Sequence, residues 1–266
     1  MLLPSQKQTS IMNKSAMRYL ANLCLCLLLS GCYMLQSAQV PLEQIEYNAR
    51  EDATGLVVFL PGMFDYPDRF EKEGLIDVVR RVAPGFDMVA VNSHFGYYRN
   101  RSIVDRLHDE VIAPREHAYH EIWLVGVSLG GAGVSSFVSE YPENIERVIL
   151  LAPYLGEDEL IAEIGAAGGL EQWRPQQNAA IDDVVLRQFT NVWDSYRRIS
   201  NKETRGPEIM IGYGADDDMA LANSLLAEAL PSESVATIPG GHNWRVWVDV
   251  FDQLVSRVND KNNHSS

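Results

Sequence analysis

The sequence predicts an α/β fold, a mostly parallel sheet with helices on both faces. Three observations predict it. Short apolar runs alternate with helical patterns from Gly55 onward. The runs are aliphatic at nearly every position, as in strands buried on both faces, rather than alternating apolar and polar. Strand–helix–strand order with right-handed crossovers then gives parallel pairing.

In chain order the strand runs are Leu56–Leu60, Met88–Val91, Ile122–Val127, Val148–Ala152, Ile209–Tyr213 and Val235–Ile238. Helical spacing falls between them. Leu75, Val78, Val79 and Val82 follow i, i+3, i+4, i+7, and so do Val134, Phe137, Val138 and Tyr141, where Pro142 stops the helix. Trp247, Val250, Phe251, Leu254 and Val258 mark a last helix. Residues 155–206 are longer than one crossover helix needs, and connections of that length are usually functional. Phe189, Val192, Trp193 and Tyr196 give this stretch one helical face. It reads as a small helical cap within a single domain over 51–258, with residues 259–266 as a disordered tail.

Composition narrows the function. The chain has 266 residues, enough for one sizeable core, and a net charge of −14. A nucleic-acid partner is excluded because phosphate backbones require a basic face. The only cysteines are Cys24, Cys26 and Cys32, with no C-x-x-C pair, so no metal site is expected.

Residues 126–130 read Gly-Val-Ser-Leu-Gly, after a strand run and before a helical one. This is the G-x-S-x-G elbow in its proper setting, with glycines flanking a serine in a strained turn. On these residues the chain resembles the α/β-hydrolase superfamily over about 50–258, which implies that fold. It also implies a nucleophile, an acid and a histidine in that order, because a serine hydroxyl needs a base and the base needs an orienting group. Ser128 is then the nucleophile. His242, in PGGHNW after the last strand run, is the base; His264 lies in the polar tail. His94, in NSHFGYY, precedes the elbow and either lines the site or is structural. The acid belongs in YGADDDMA, where Gly-x-x-Asp selects Asp217, with Asp216 second and Asp218 a turn residue. Glu157 and Asp158, after an earlier strand, are the remaining candidates. Backbone donors for an oxyanion are expected at Leu129, directly after the serine, and at Met63 in FLPGMFDYPDRF. The superfamily often has His-Gly in that loop. Here it is Pro61-Gly62, which loosens the register of Met63.

The N-terminus is a separate object. Lys14 and Arg18 precede an apolar run, Tyr19 to Leu29, too short to span a bilayer but suited to a secretory signal. Leu29-Ser30-Gly31-Cys32 resembles the lipobox of bacterial lipoproteins. The resemblance implies cleavage of 1–31, lipid on Cys32, and a tether over 32–50. Removing the signal leaves an even more acidic chain, so acyl chains rather than basic residues would hold it at a membrane. Tyr33 follows Cys32, where inner-membrane retention commonly uses Asp, which favours the outer membrane of the cell envelope.

The expectation is a membrane-tethered serine hydrolase for a small-molecule ester or thioester, without cofactor or metal. An acyltransferase or peptidase on the same triad, and a catalytically silent binding protein, are the alternatives. Glu157, Asp158, Glu159, Glu163, Asp182 and Asp183 make the cap acidic. Such a surface is repelled from anionic bilayers, so soluble short-to-medium acyl esters are expected over emulsified lipid.

Overall fold

A computed structural model describes residues 36–49, 52–143, 145–175 and 183–264. The segment 1–31, expected as a signal, and Cys32 lie outside the described residues. Seven strands form one sheet in the order β1-β3-β2-β4-β5-β6-β7. They are β1 (Gln44–Tyr47), β2 (Gly55–Leu60), β3 (Phe86–Val91), β4 (Glu121–Val127), β5 (Arg147–Leu151), β6 (Glu208–Gly214) and β7 (Val235–Ile238). All neighbouring pairs are parallel except β1 with β3. Each of the six apolar runs read from the sequence is a strand to within two residues.

The helices are α1 (Arg69–Lys72), α2 (Leu75–Val82), α3 (Phe95–Arg99), α4 (Ile103–Leu107), α5 (Leu129–Glu140), α6 (Asp158–Ala166), α7 (Val184–Ser200), α8 (Ala220–Ala227) and α9 (Trp244–His264). Strand β2 shows how they cover both faces. All its residues are buried, and successive side chains point to opposite sides. Phe59 meets Phe251 of α9, ring centroids 6.3 Å apart. Leu60 points the other way, its Cδ2 only 3.0 Å from where a Cβ on Gly133 of α5 would lie. Helices α2 and α9 pack together on the first face, while α4 and α7 flank α5 on the second. Helix α5 stops at Glu140, two residues before Pro142, since a proline cannot donate the next helical hydrogen bond.

Two boundaries differ from the sequence reading. The segment expected as a tether, 32–50, contains β1, which pairs antiparallel with β3 from Gln44↔Val91 to Tyr47↔Met88. Its surroundings are tied in as well: Asn92 Nδ2 donates to Glu43 Oε2 at 2.8 Å and Tyr97 Oη donates to Gln39 O at 3.1 Å. A four-residue edge strand with one buried position, Tyr47, carries too little periodicity to be read. The expected disordered tail likewise begins within α9, which continues to His264. The apolar face ends at Val258, and the helix propagates beyond it at small cost per residue once nucleated.

The cap segment contributes α6 and α7. Phe189, Val192, Trp193 and Tyr196 are buried, as their spacing requires. Trp193 Nε1 donates to Leu155 O at 2.8 Å, and Tyr196 Oη donates to Ser135 Oγ of α5 at 2.7 Å. No described helix is long and apolar enough to cross a membrane.

The pairing of β1 is directly testable. A chain begun at residue 51 is expected to unfold at lower denaturant than one begun at residue 36, and to self-associate, because the edge of β3 loses its cover. Equal midpoints with both chains monomeric would show that β1 does not belong to the folded domain.

Candidate active site

The site stands at the carboxyl ends of the parallel strands, where loops from β2, β4, β6 and β7 meet. Strand β4 runs straight into α5 through Ser128, whose backbone is at φ 51° and ψ −113°. A side chain other than glycine is strained there. The turn is possible because its neighbours carry no Cβ. One on Gly126 would lie 2.5 Å from Gly130 O, and one on Gly130 would lie 2.0 Å from Leu60 O. Ser128 N donates to Leu151 O at 2.9 Å, and Ser128 O accepts from Tyr154 N at 3.0 Å. These bonds tie the strained residue to β5 and the loop after it.

Asp217 lies in the turn after β6. Its N–H donates to Gly214 O, and its Oδ1 accepts from Met219 N at 2.8 Å. The carboxylate is fully enclosed, and its other oxygen, Oδ2, lies 2.8 Å from His242 Nδ1. On the far side of the ring, His242 Nε2 lies 2.9 Å from Ser128 Oγ. The structure thus brings Ser128, His242 and Asp217 into one hydrogen-bonded line from residues 114 and 25 positions apart in the chain. With the carboxylate accepting from Nδ1–H, Nε2 is the basic nitrogen facing the hydroxyl. Such a line can take a proton from Oγ and stabilise the imidazolium that forms.

The other candidate acids have different places. Asp216 is exposed; its Oδ2 accepts from Gly240 N at 3.0 Å and its own N–H donates to Gly240 O. It fastens the β6 turn to the loop that carries His242 without meeting the imidazole. That loop approaches so closely that a Cβ on Gly214 would lie 2.1 Å from Gly240 O. Asp218 is exposed. Glu157 accepts from Tyr154 Oη, and Asp158 opens α6. His94 is a structural residue: buried, it caps α3 by accepting from Gly96 N at 3.1 Å, and burial holds its pKa below the usual histidine value.

Met63 and Leu129 border the same cleft as Ser128. Leu129 begins α5, where backbone N–H groups have no intrahelical acceptor. The loop of Met63 runs against the serine, since a Cβ on Gly62 would lie 3.4 Å from Ser128 Cβ. The cleft has a volume of about 1060 Å³ and continues between α4 and α7 along α5, with Phe95, Tyr98, Tyr154 and Phe189 among its walls. Its chemistry differs in part from the acidic cap expected. Arg99, Arg101, Arg187 and Arg198 line it together with Asp105, Glu140 and Glu157. Among the described residues no group of three or more His, Cys, Asp or Glu is placed to hold a metal ion.

No protein-family model matches the chain, and no curated protein matches it. Solved structures do. The S-formylglutathione hydrolase FrmB of Staphylococcus aureus aligns with a TM-score of 0.55 at 10% identity, covering 84% of this chain and 98% of its own. FphF, a fluorophosphonate-binding serine hydrolase of the same organism, aligns with a TM-score of 0.53 at 12% identity, covering 82% and 99%. A ferulic acid esterase aligns with a TM-score of 0.53 at 15% identity, covering 85% and 95%. At such identities the likeness is one of architecture, and with the sheet order and the turn at Ser128 it is plain: this chain has the α/β-hydrolase fold.

Geometry separates the adjacent aspartates. Asp217→Asn is expected to lower turnover by about 10⁴-fold, because an amide favours the wrong imidazole tautomer and does not stabilise the imidazolium. Asp216→Asn should cost less than tenfold. Steady-state rates of the two variants on one ester check this, and a larger loss at Asp216 would contradict the assignment.

Proposed function

We propose that the chain is a serine hydrolase that cleaves a carboxylic ester or thioester through an acyl-enzyme. The observation that carries the reading is the unbroken line Ser128–His242–Asp217, with a buried carboxylate at one end and a hydroxyl facing the cleft at the other. The names of the solved structures sharing its fold, a hydrolase, a serine hydrolase and an esterase, point the same way.

In the reaction Ser128 Oγ attacks the carbonyl carbon while His242 Nε2 takes its proton. The carbonyl oxygen becomes an oxyanion facing the backbone N–H groups of Leu129 and Met63. Collapse breaks the bond to the alcohol or thiol, which leaves with the proton from Nε2. Water then attacks the acyl-serine, His242 takes the water's proton, and the second collapse returns it to Oγ and frees the acid. Asp217 keeps Nδ1–H in place throughout. No step calls for a metal or cofactor.

Ser128→Ala is expected to abolish hydrolysis of a soluble p-nitrophenyl ester and labelling by a fluorophosphonate, with the circular dichroism spectrum unaltered. Undiminished turnover by the folded variant would remove the mechanism. Transfer of the acyl group to an added alcohol in preference to water would make the same triad an acyltransferase.

The proposal includes an anchor on Cys32 in the bacterial envelope, supported by the Leu29-Ser30-Gly31-Cys32 run behind a basic start and an apolar stretch. Tyr33 in the following position favours the outer membrane. Cys32→Ser should move the protein from the membrane to the soluble fraction and end incorporation of labelled palmitate. Continued labelling of that variant would place the lipid elsewhere.

A further inference from the structure

We propose that Asp65 and Trp244 form a latch that aims the Met63 backbone donor at the Ser128–His242 pair. The latch rests on the serine-hydrolase reading and adds two positioning residues to it.

The loop after β2 needs such a device. It passes beside Ser128 at Gly62, and two residues later the backbone is strained, with Phe64 at φ 68°. A non-glycine residue in that region persists only where its surroundings hold it. Apolar burial is a limited hold there, because Met63, Phe64 and Tyr66 expose 38%, 52% and 51% of their surface. Asp65 adds a polar one. Its N–H donates to Gly62 O at 3.2 Å and closes the turn. Its Oδ2 accepts from Trp244 Nε1 at 3.1 Å.

Trp244 is the first residue of α9 and stands two positions after His242. Its ring is fixed edge-on to Phe70 at 5.6 Å and to Trp247 at 5.3 Å. Trp247 in turn meets the His242 ring edge-on at 4.8 Å. The Arg69 guanidinium lies 5.7 Å from the Trp244 ring centroid, and its Nε lies 3.9 Å from Asp65 Oδ1. One indole is therefore held against the base through Trp247 and bonded to the donor loop through Asp65. Burial pushes the Asp65 carboxyl up, while the indole N–H and Arg69 pull it back.

The consequence is a separation of effects. A donor that meets only the developing oxyanion contributes to the transition state and not to substrate binding. Loss of the latch leaves the triad and the cleft in place and misaims that donor, and a displacement of about 1 Å near the chemistry can cost as much as 100-fold.

The test uses Trp244→Phe, which keeps a ring and loses the N–H, with Asp65→Ala, Asp65→Asn and the Trp244→Phe/Asp65→Ala double variant. For Trp244→Phe and for Asp65→Ala, kcat on a soluble ester is expected to fall about 10- to 100-fold with KM within about twofold. The double variant should be no slower than the slower single, because both remove one bond. Asp65→Asn should recover most of the rate, since its amide oxygen still accepts from the indole. Affinity for a trifluoromethyl ketone, whose adduct places an oxyanion in the same spot, should fall in step with kcat/KM. Amide exchange over residues 62–66 should quicken in Trp244→Phe. Full kcat in Trp244→Phe, additive losses in the double variant, or a raised KM at unchanged kcat would overturn the latch. Wild-type turnover lost in Ser128→Ala keeps the hydrolase reading whichever way the latch falls. Were the wild type inert toward esters and fluorophosphonate, that reading would fail, and unchanged exchange at 62–66 in Trp244→Phe would still refute the latch.

Discussion

Everything at the site depends on one crowded contact: the first turn of α5 lies directly against the end of β2. Gly130 approaches Leu60 O so closely that even a methyl group would collide with the backbone. That approach forces the chain from strand to helix within a single residue and leaves Ser128 at φ 51°. Residues held in such regions cost of order 1–3 kcal/mol each. The strain is sustained by the burial of β2 and β4 on both faces and by the bonds from Ser128 to Leu151 and Tyr154. The serine hydroxyl is thereby raised into the cleft rather than folded into the helix.

A parallel sheet then does the assembling. Because β2, β4, β5, β6 and β7 all run one way, their carboxyl ends deliver residues far apart in sequence to one edge. Asp217 arrives from β6 and His242 from β7, and neighbouring strands bring them into contact. The enclosed carboxylate is tolerable because both oxygens have partners, Met219 N and the imidazole. A buried charge without them would be expensive. The same pairing gives the imidazole its orientation, so one set of bonds answers the cost of burial and the demand for geometry.

This division explains what could be read in advance. Strands β2 to β6 are buried along most of their length and leave continuous aliphatic runs, so they were legible. So was β7, an edge strand with Ala236 alone buried, from its β-branched run Val235–Ile238. The glycines of the elbow mark a steric need that few other residues meet. Order along the chain picked Ser128, Asp217 and His242 because each sits at a strand end. Strand β1 was not legible: at a sheet edge, with Tyr47 alone buried, it has neither a run nor an alternation. The latch was hidden for another reason. Asp65 and Trp244 are 179 positions apart, and neither type at its position signals a partner. The aromatic spacing of Trp244 and Trp247 in PGGHNWRVW was visible, but as the start of a core helix.

The absence of histidine before Gly62 takes on a different meaning beside these contacts. Pro61 has no side-chain donor with which to fix the loop. The loop is instead tied downstream, at Asp65, to the helix that follows His242. On the opposite side Asp216 ties the turn that carries Asp217 to Gly240, in the loop that carries His242. The histidine loop is therefore bonded to the β6 turn through Asp216, while the indole that follows it reaches out to the β2 loop. One tie joins the β6 turn to the loop that carries His242, and the other joins the β2 loop to the helix that follows it. A rigid sheet edge alone sets the strand ends, and these two polar ties extend its precision into the loops where the chemistry would occur.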